Sequence, residues 1–145
     1  MHATSPPNFL GNNNSIQNSN LNLAASQSVS ASTSFTFTNW YGDGLIASFN
    51  VHSIPGSAST TLALKIQALN PVSGDFFTIA STNARSATGV SNLQISPFMA
   101  AASAGGVQTQ VQSLVPKDLR ALVSLSTGAT SKECVFSLSV HFCVT

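Results

Sequence analysis

Four carboxylates, three histidines and two cysteines are the residues through which this 145-residue chain could do chemistry. Their spacing argues against it. Asp43, Asp75, Asp118 and Glu133 all sit in turn-like contexts. Acid and base work by paired carboxylates needs two of them converging at roughly 5 to 10 Å, and nothing in the spacing selects a pair, so each reads as a turn or cap residue. His2, His52 and His141 are scattered, none with a second ligand at the short separations of zinc sites. His52 and His141 each occupy the polar face of an alternating run, and they meet only if their strands are neighbours in matching register. There is no Gly-x-Ser-x-Gly elbow, Walker loop or dinucleotide glycine pattern. Asn13-Asn14-Ser15 matches the glycosylation sequon, a pattern that a chain rich in Asn and Ser meets by chance. The expectation is therefore no catalytic residue, no cofactor and no metal: not an enzyme.

Cys134 and Cys143 lie nine residues apart in a segment with neither Gly nor Pro to turn it. Extended, their Cα atoms stand roughly 30 Å apart, against a limit of about 7 Å for a disulfide. The odd spacing sends them to opposite faces, so Cys134 reads as a small core hydrophobe and Cys143 as a free thiol on the other side. Two free thiols fit assembly in a reducing cytoplasm.

The surface that must surround these residues is unusual. Only 6% of the chain is charged, against about 25% for an ordinary soluble protein, while 43% is hydrophobic. Ser, Thr, Asn and Gln must cover the outside. A formal charge of +1 excludes a broad electrostatic footprint for nucleic acid or an anionic membrane surface. No run reaches the roughly 18 apolar residues of a membrane span, and the start lacks a signal-peptide pattern, so the chain is expected to be soluble and unprocessed. Weak charge repulsion between copies suits a fixed assembly better than free diffusion.

The elements follow from periodicity. Residues 1–33 read as an extended Asn/Ser-rich arm: the segment is polar and aperiodic, and no charged residue occurs before Asp43. Its sparse apolar residues Phe9, Leu10, Ile16, Leu21 and Leu23 are the natural anchors on a neighbouring surface. Deleting the arm should weaken attachment and leave the remainder folded. Residues 34–145 read as one β domain. Apolar residues recur at every second position in 35–37, 45–53, 62–68 and, most clearly, 134–144, with shorter candidates at 76–80, 93–95, 107–111 and 119–125. One or two turns of helix fit residues 98–104, and another short helix can start at Pro116. Seven or eight short strands separated by turn signals give an all-β chain, an antiparallel β-sandwich or jelly-roll-like domain.

Asn39-Trp40-Tyr41-Gly42-Asp43-Gly44 holds the sole Trp and the sole Tyr. Exposed, the pair stacks on a sugar or a partner; buried, Trp40 plugs the end of the sandwich where the arm enters. Arg85, in the polar loop 81–91, sits at a plausible contact tip, since a planar guanidinium is a better interface group than an ammonium.

With the strands placed, residues 62–80 (LALKIQALNPVSGDFFTIA) resemble a segment of small virion proteins of tailed bacteriophages, where a strand ending in Lys-Ile-Gln or Lys-Val-Gln enters a Pro-Val-Ser-Gly turn and then an aromatic strand. Ile95-Ser96-Pro97-Phe98, residues 114–120 (LVPKDLR) and the closing residues 136–141 (FSLSVH) keep the same order of elements. The resemblance spans roughly residues 44–144. It implies a capsid decoration or cement protein on the outer surface of the head, assembled in the host cytoplasm. Its partners would be the major capsid protein and copies of itself, a trimer being one plausible oligomer, with no nucleic acid and no membrane involved. A head-to-tail connector, neck or tail component is the nearest alternative, and a carbohydrate-binding module for host attachment a third. A self-assembling coat protein would want a basic arm to neutralise packaged nucleic acid, and this one has no Lys or Arg.

Overall fold

A computed structural model of the chain describes residues 20–40, 42–55, 60–98, 101–104, 108–126 and 133–143. Among these it contains ten strands and no helix: β1 (Asn20–Val29), β2 (Thr33–Thr38), β3 (Gly44–Ser53), β4 (Thr61–Leu69), β5 (Phe76–Ser81), β6 (Gly89–Ser96), β7 (Ala102–Ala104), β8 (Gln108–Gln112), β9 (Asp118–Ser126) and β10 (Cys134–Cys143). The larger sheet has the order β1-β10-β3-β6-β8-β7 and the smaller β2-β9-β4-β5. With the β7/β8 hairpin set aside, the first strand pairs with the last, the second with the second-last, β3 with β6 and β4 with β5. This nested pairing, rolled into two sheets, is a jelly roll. The sandwich expected from the strand pattern is what the chain forms.

The core lies between the sheets because alternation puts the apolar half of each strand there. In β10 every second residue from Cys134 to Phe142 is buried, and β3 buries Leu45, Ala47, Phe49 and Val51 in the same way. From the smaller sheet come Phe37, Leu62, Leu64, Ile66, Leu119, Ala121 and Val123. Phe136 sits at the centre, its ring 5.6 Å from Phe49 and 6.4 Å from Phe35 across the sheets. Each large side chain fully removed from water contributes about 1.5 to 3 kcal/mol before entropy is charged against it.

Three expectations are corrected. The arm does not extend to residue 33: residues 20–29 form β1, paired antiparallel with β10. Irregularities between Asn22 and Ala24 and between Ala24 and Gln27 break the two-residue period there, so the buried positions are Leu21, Ala24 and Val29, a spacing that hides the strand. Ser26, at the second irregularity, has φ +48°. Residues 102–104 form an edge strand paired with β8, whose ladder supplies hydrogen bonds that so short a helix could not make for itself. Pro116 precedes strand β9 and starts no helix. One pair also departs from an all-antiparallel arrangement: the chain leaves β6, reaches the sheet margin as β7 and returns, so β8 runs parallel to β6.

Candidate contact surface

Charge is segregated in this fold. None of the six strands of the larger sheet contains Asp, Glu, Lys or Arg. The described charged residues stand in connections (Asp43, Asp75, Arg85, Lys117, Glu133) or on the smaller sheet (Lys65, Asp118, Arg120). Because side chains alternate along each strand, the outer face of the larger sheet is built in cross-strand rows. One row runs His141, Ile46, Gln94, Gln110, and the next runs Asn22, Ser139, Ser48, Asn92, Gln108. The rows bond to themselves. Ser48 Oγ donates to Asn92 Oδ1 at 3.0 Å, and Gln110 Nε2 donates to Gln94 Oε1 at 3.2 Å. Ser137 Oγ accepts from the Ser26 amide at 2.9 Å and shares a 2.7 Å hydrogen bond with His52 Nε2. Where β1 is irregular, an open trough of about 480 Å³ is lined by Asn22, Ala24, Ala25, Ser48, Asn50, Ser137, Leu138 and Ser139.

A second surface is the end of the sandwich where β2 passes to β3, β4 to β5, and β6 to β9 through the extra hairpin. Register fixes this: Phe142 and Ile95 both face Leu45, and Leu119 faces Phe37 and Ala68. Asn39 holds the end together. Its amide Nδ2 donates to the carbonyls of Gly42 (2.7 Å) and Val115 (3.0 Å), its Oδ1 accepts from the Gly42 amide (2.8 Å), and its own backbone amide donates to Lys117 O (2.8 Å). Trp40 beside it is half-buried, with Lys117 Nζ 4.4 Å above the ring, a pairing worth about 0.5 to 1 kcal/mol at an exposed site. Val72, Phe98 and Leu114, 94%, 72% and 75% exposed, project from the same end.

The residues singled out from the sequence fall as follows. Phe9, Leu10, Ile16 and Tyr41 lie outside the described residues. Leu21 is buried in the chain's own core opposite Val140, and Leu23 packs against that core while staying partly exposed. Arg85 is half-exposed in the loop between β5 and β6. Its guanidinium closes its own loop, donating to Ala87 O, Thr88 O and Ser91 Oγ, while its backbone exchanges both hydrogen bonds with Leu62. Arg120 is likewise engaged within its own sheet: Nε donates to Gln67 Oε1 at 2.8 Å, and the group lies 4.2 Å over the Phe76 ring. Sequence reasoning missed Asn39, whose signal was its place three residues before the Gly42-Asp43-Gly44 run.

β3 and β10 are neighbours, but His141 faces Ile46 and His52 lies six residues further along β3, roughly 20 Å away. No group of three metal-ligating side chains comes together among the described residues. Cys134 is buried and Cys143 half-buried, both free. Burial pushes both thiols above the usual range, and the Asp43 carboxylate adds to the rise at Cys143, so neither is an activated nucleophile. No protein-family model, curated protein or solved structure matches this chain.

Proposed function

We propose that the chain is a virion structural protein of a tailed bacteriophage: a capsid decoration protein that binds the major capsid protein shell and stabilises the head. The observation that carries this reading is the larger sheet, six strands wide without one charged residue. Charged residues are depleted at the cores of protein interfaces, and a sheet face of hydroxyls and amides makes many hydrogen bonds to a fixed neighbour without paying to desolvate ions. The resemblance over residues 44–144 points the same way. Equivalent copies on a symmetric shell add avidity, so modest contacts per copy suffice.

Heads lacking the protein, incubated with the purified chain and sedimented, test the reading. The chain should co-sediment and raise the heads' resistance to chaotrope, with little change between low and moderate salt because few ion pairs exist to screen. Ser48→Lys and Ser139→Lys, each placing a charge on the large sheet, should abolish binding, while Lys65→Ser on the small sheet should keep it. Binding that is lost steeply with salt, or that survives both lysines, rejects it. Bound copy number separates decoration of the shell from a neck or tail position. A glycan-binding reading would use the uncharged trough, which Trp40 does not line.

A further inference from the structure

The two sheets present four edge strands, and three of them are blunted. The β1 ladder is broken twice, β5 is irregular opposite Ile66 and Gln67, and β7 has three residues. Bulges and short edges are the devices by which native sheets avoid adding strands. β2 has neither. Its six residues Thr-Ser-Phe-Thr-Phe-Thr pair with β9 in unbroken register from Thr33 to Thr38, they include no Gly, Pro or charge, and among the described residues no strand pairs along the other side. Phe35 shows the consequence: it points into the sandwich against Phe136 yet stays half-exposed, because no described strand lies beyond it.

We infer that β2 is a docking edge for β2 of a second copy, joining two small sheets into one of eight strands about a two-fold axis. The alternation of β2 selects the register. Core-facing residues meet core-facing residues only if the paired numbers sum to an even value, and centring the axis on Thr36 puts Thr36 opposite Thr36 of the partner subunit and Phe35 opposite Phe37 of the partner subunit. That pairing covers Phe35. It also brings no like charges together: the nearest, the two Arg120 groups, face Thr36 from β9 and stand three strand spacings apart, about 14 Å, beyond the roughly 8 Å screening length. An isologous contact of this kind closes on itself and stops at two copies.

The inference does not rest on the shell reading, and the purified full chain tests it without heads. Sedimentation equilibrium should show a mass about twice 15.0 kDa as concentration rises. Thr36 is exposed, so Thr36→Lys and Thr36→Glu should each keep the β circular dichroism spectrum while weakening association at least tenfold, since each sets two like charges face to face. Mixing the two variants should restore the dimer. Ser34→Lys, whose position does not face itself, should weaken it less. A wild-type chain that stays monomeric at every concentration overturns the inference, as does a dimer indifferent to Thr36→Lys. A mixture that fails to reassociate overturns the self-pairing and leaves the edge to a different strand.

Discussion

The guanidinium of Arg85 fills the space that a side chain on Gly89 would need. Gly89 also has φ +139°, a backbone conformation that other residues avoid, so the backbone demands glycine there, whereas the guanidinium, the far end of a flexible side chain, can swing aside. Gly89→Ala should cost about 2 kcal/mol in denaturant unfolding, combining backbone strain with the loop hydrogen bonds that a displaced Arg85 gives up. In the Arg85→Ala background the same change should cost only the backbone part, about 1 kcal/mol, so the double-mutant cycle should show coupling of the order of 1 kcal/mol.

Truncation separates two parts of the N-terminal region. Removing residues 1–19 leaves every described core residue in place, so the shortened chain should fold with a wild-type circular dichroism spectrum. Removing residues 1–33 takes away Leu21, Ala24 and Val29 and uncovers one side of β10. That chain should be insoluble or bind hydrophobic dyes, as expected when a core loses a strand.

Asn39→Ala should lower stability by about 2 kcal/mol, because it strands the Val115 carbonyl and the Gly42 amide and carbonyl in a partly buried site. Asn39→Asp keeps the acceptor for the Gly42 amide but loses both donated bonds, and should recover only part of the loss. Thermal unfolding of the three proteins gives the order directly. Gly42→Ala belongs with them, since a Cβ there would stand 2.9 Å from Phe142 Cβ.

The cysteines predict alkaline behaviour. Burial raises both thiols in the folded state, so the folded chain holds its protons after the unfolded chain has begun to lose them at about pH 8.5. Stability from this source is complete below that pH and is lost as pH rises toward the folded-state values. Denaturant midpoints should fall above pH 9, and the fall should be shallower in a Cys134→Ala, Cys143→Ala chain. At neutral pH both thiols should react with maleimide more slowly than a free peptide thiol, Cys134 the more slowly of the two.

Where one period ran unbroken, the sequence was readable. β10 alternates without interruption and β3 nearly so, and their identity, core face and the opposite placement of Cys134 and Cys143 follow from counting by two. β1 was hidden because its irregularities give buried residues three and five apart, which imitates an aperiodic arm. β7 was hidden because three residues carry no period. Arg85 and Asn39 illustrate a different limit. Their residue types indicate good hydrogen-bonding groups, but whether those groups face outward or tie their own loops depends on where distant carbonyls such as Val115 O fall. The evenly uncharged larger sheet, by contrast, was implicit in composition and became a surface only once strand order put its six members side by side.

That arrangement divides the molecule by the range at which it is felt. All described formal charge lies in the connections and on the smaller sheet, so the field sensed from a Debye length away belongs to those parts, and they govern the first orientation of any charged object that approaches. The broad neutral side exerts no pull at a distance and discriminates only after touching, through the fit of hydroxyls and amides one atom layer deep.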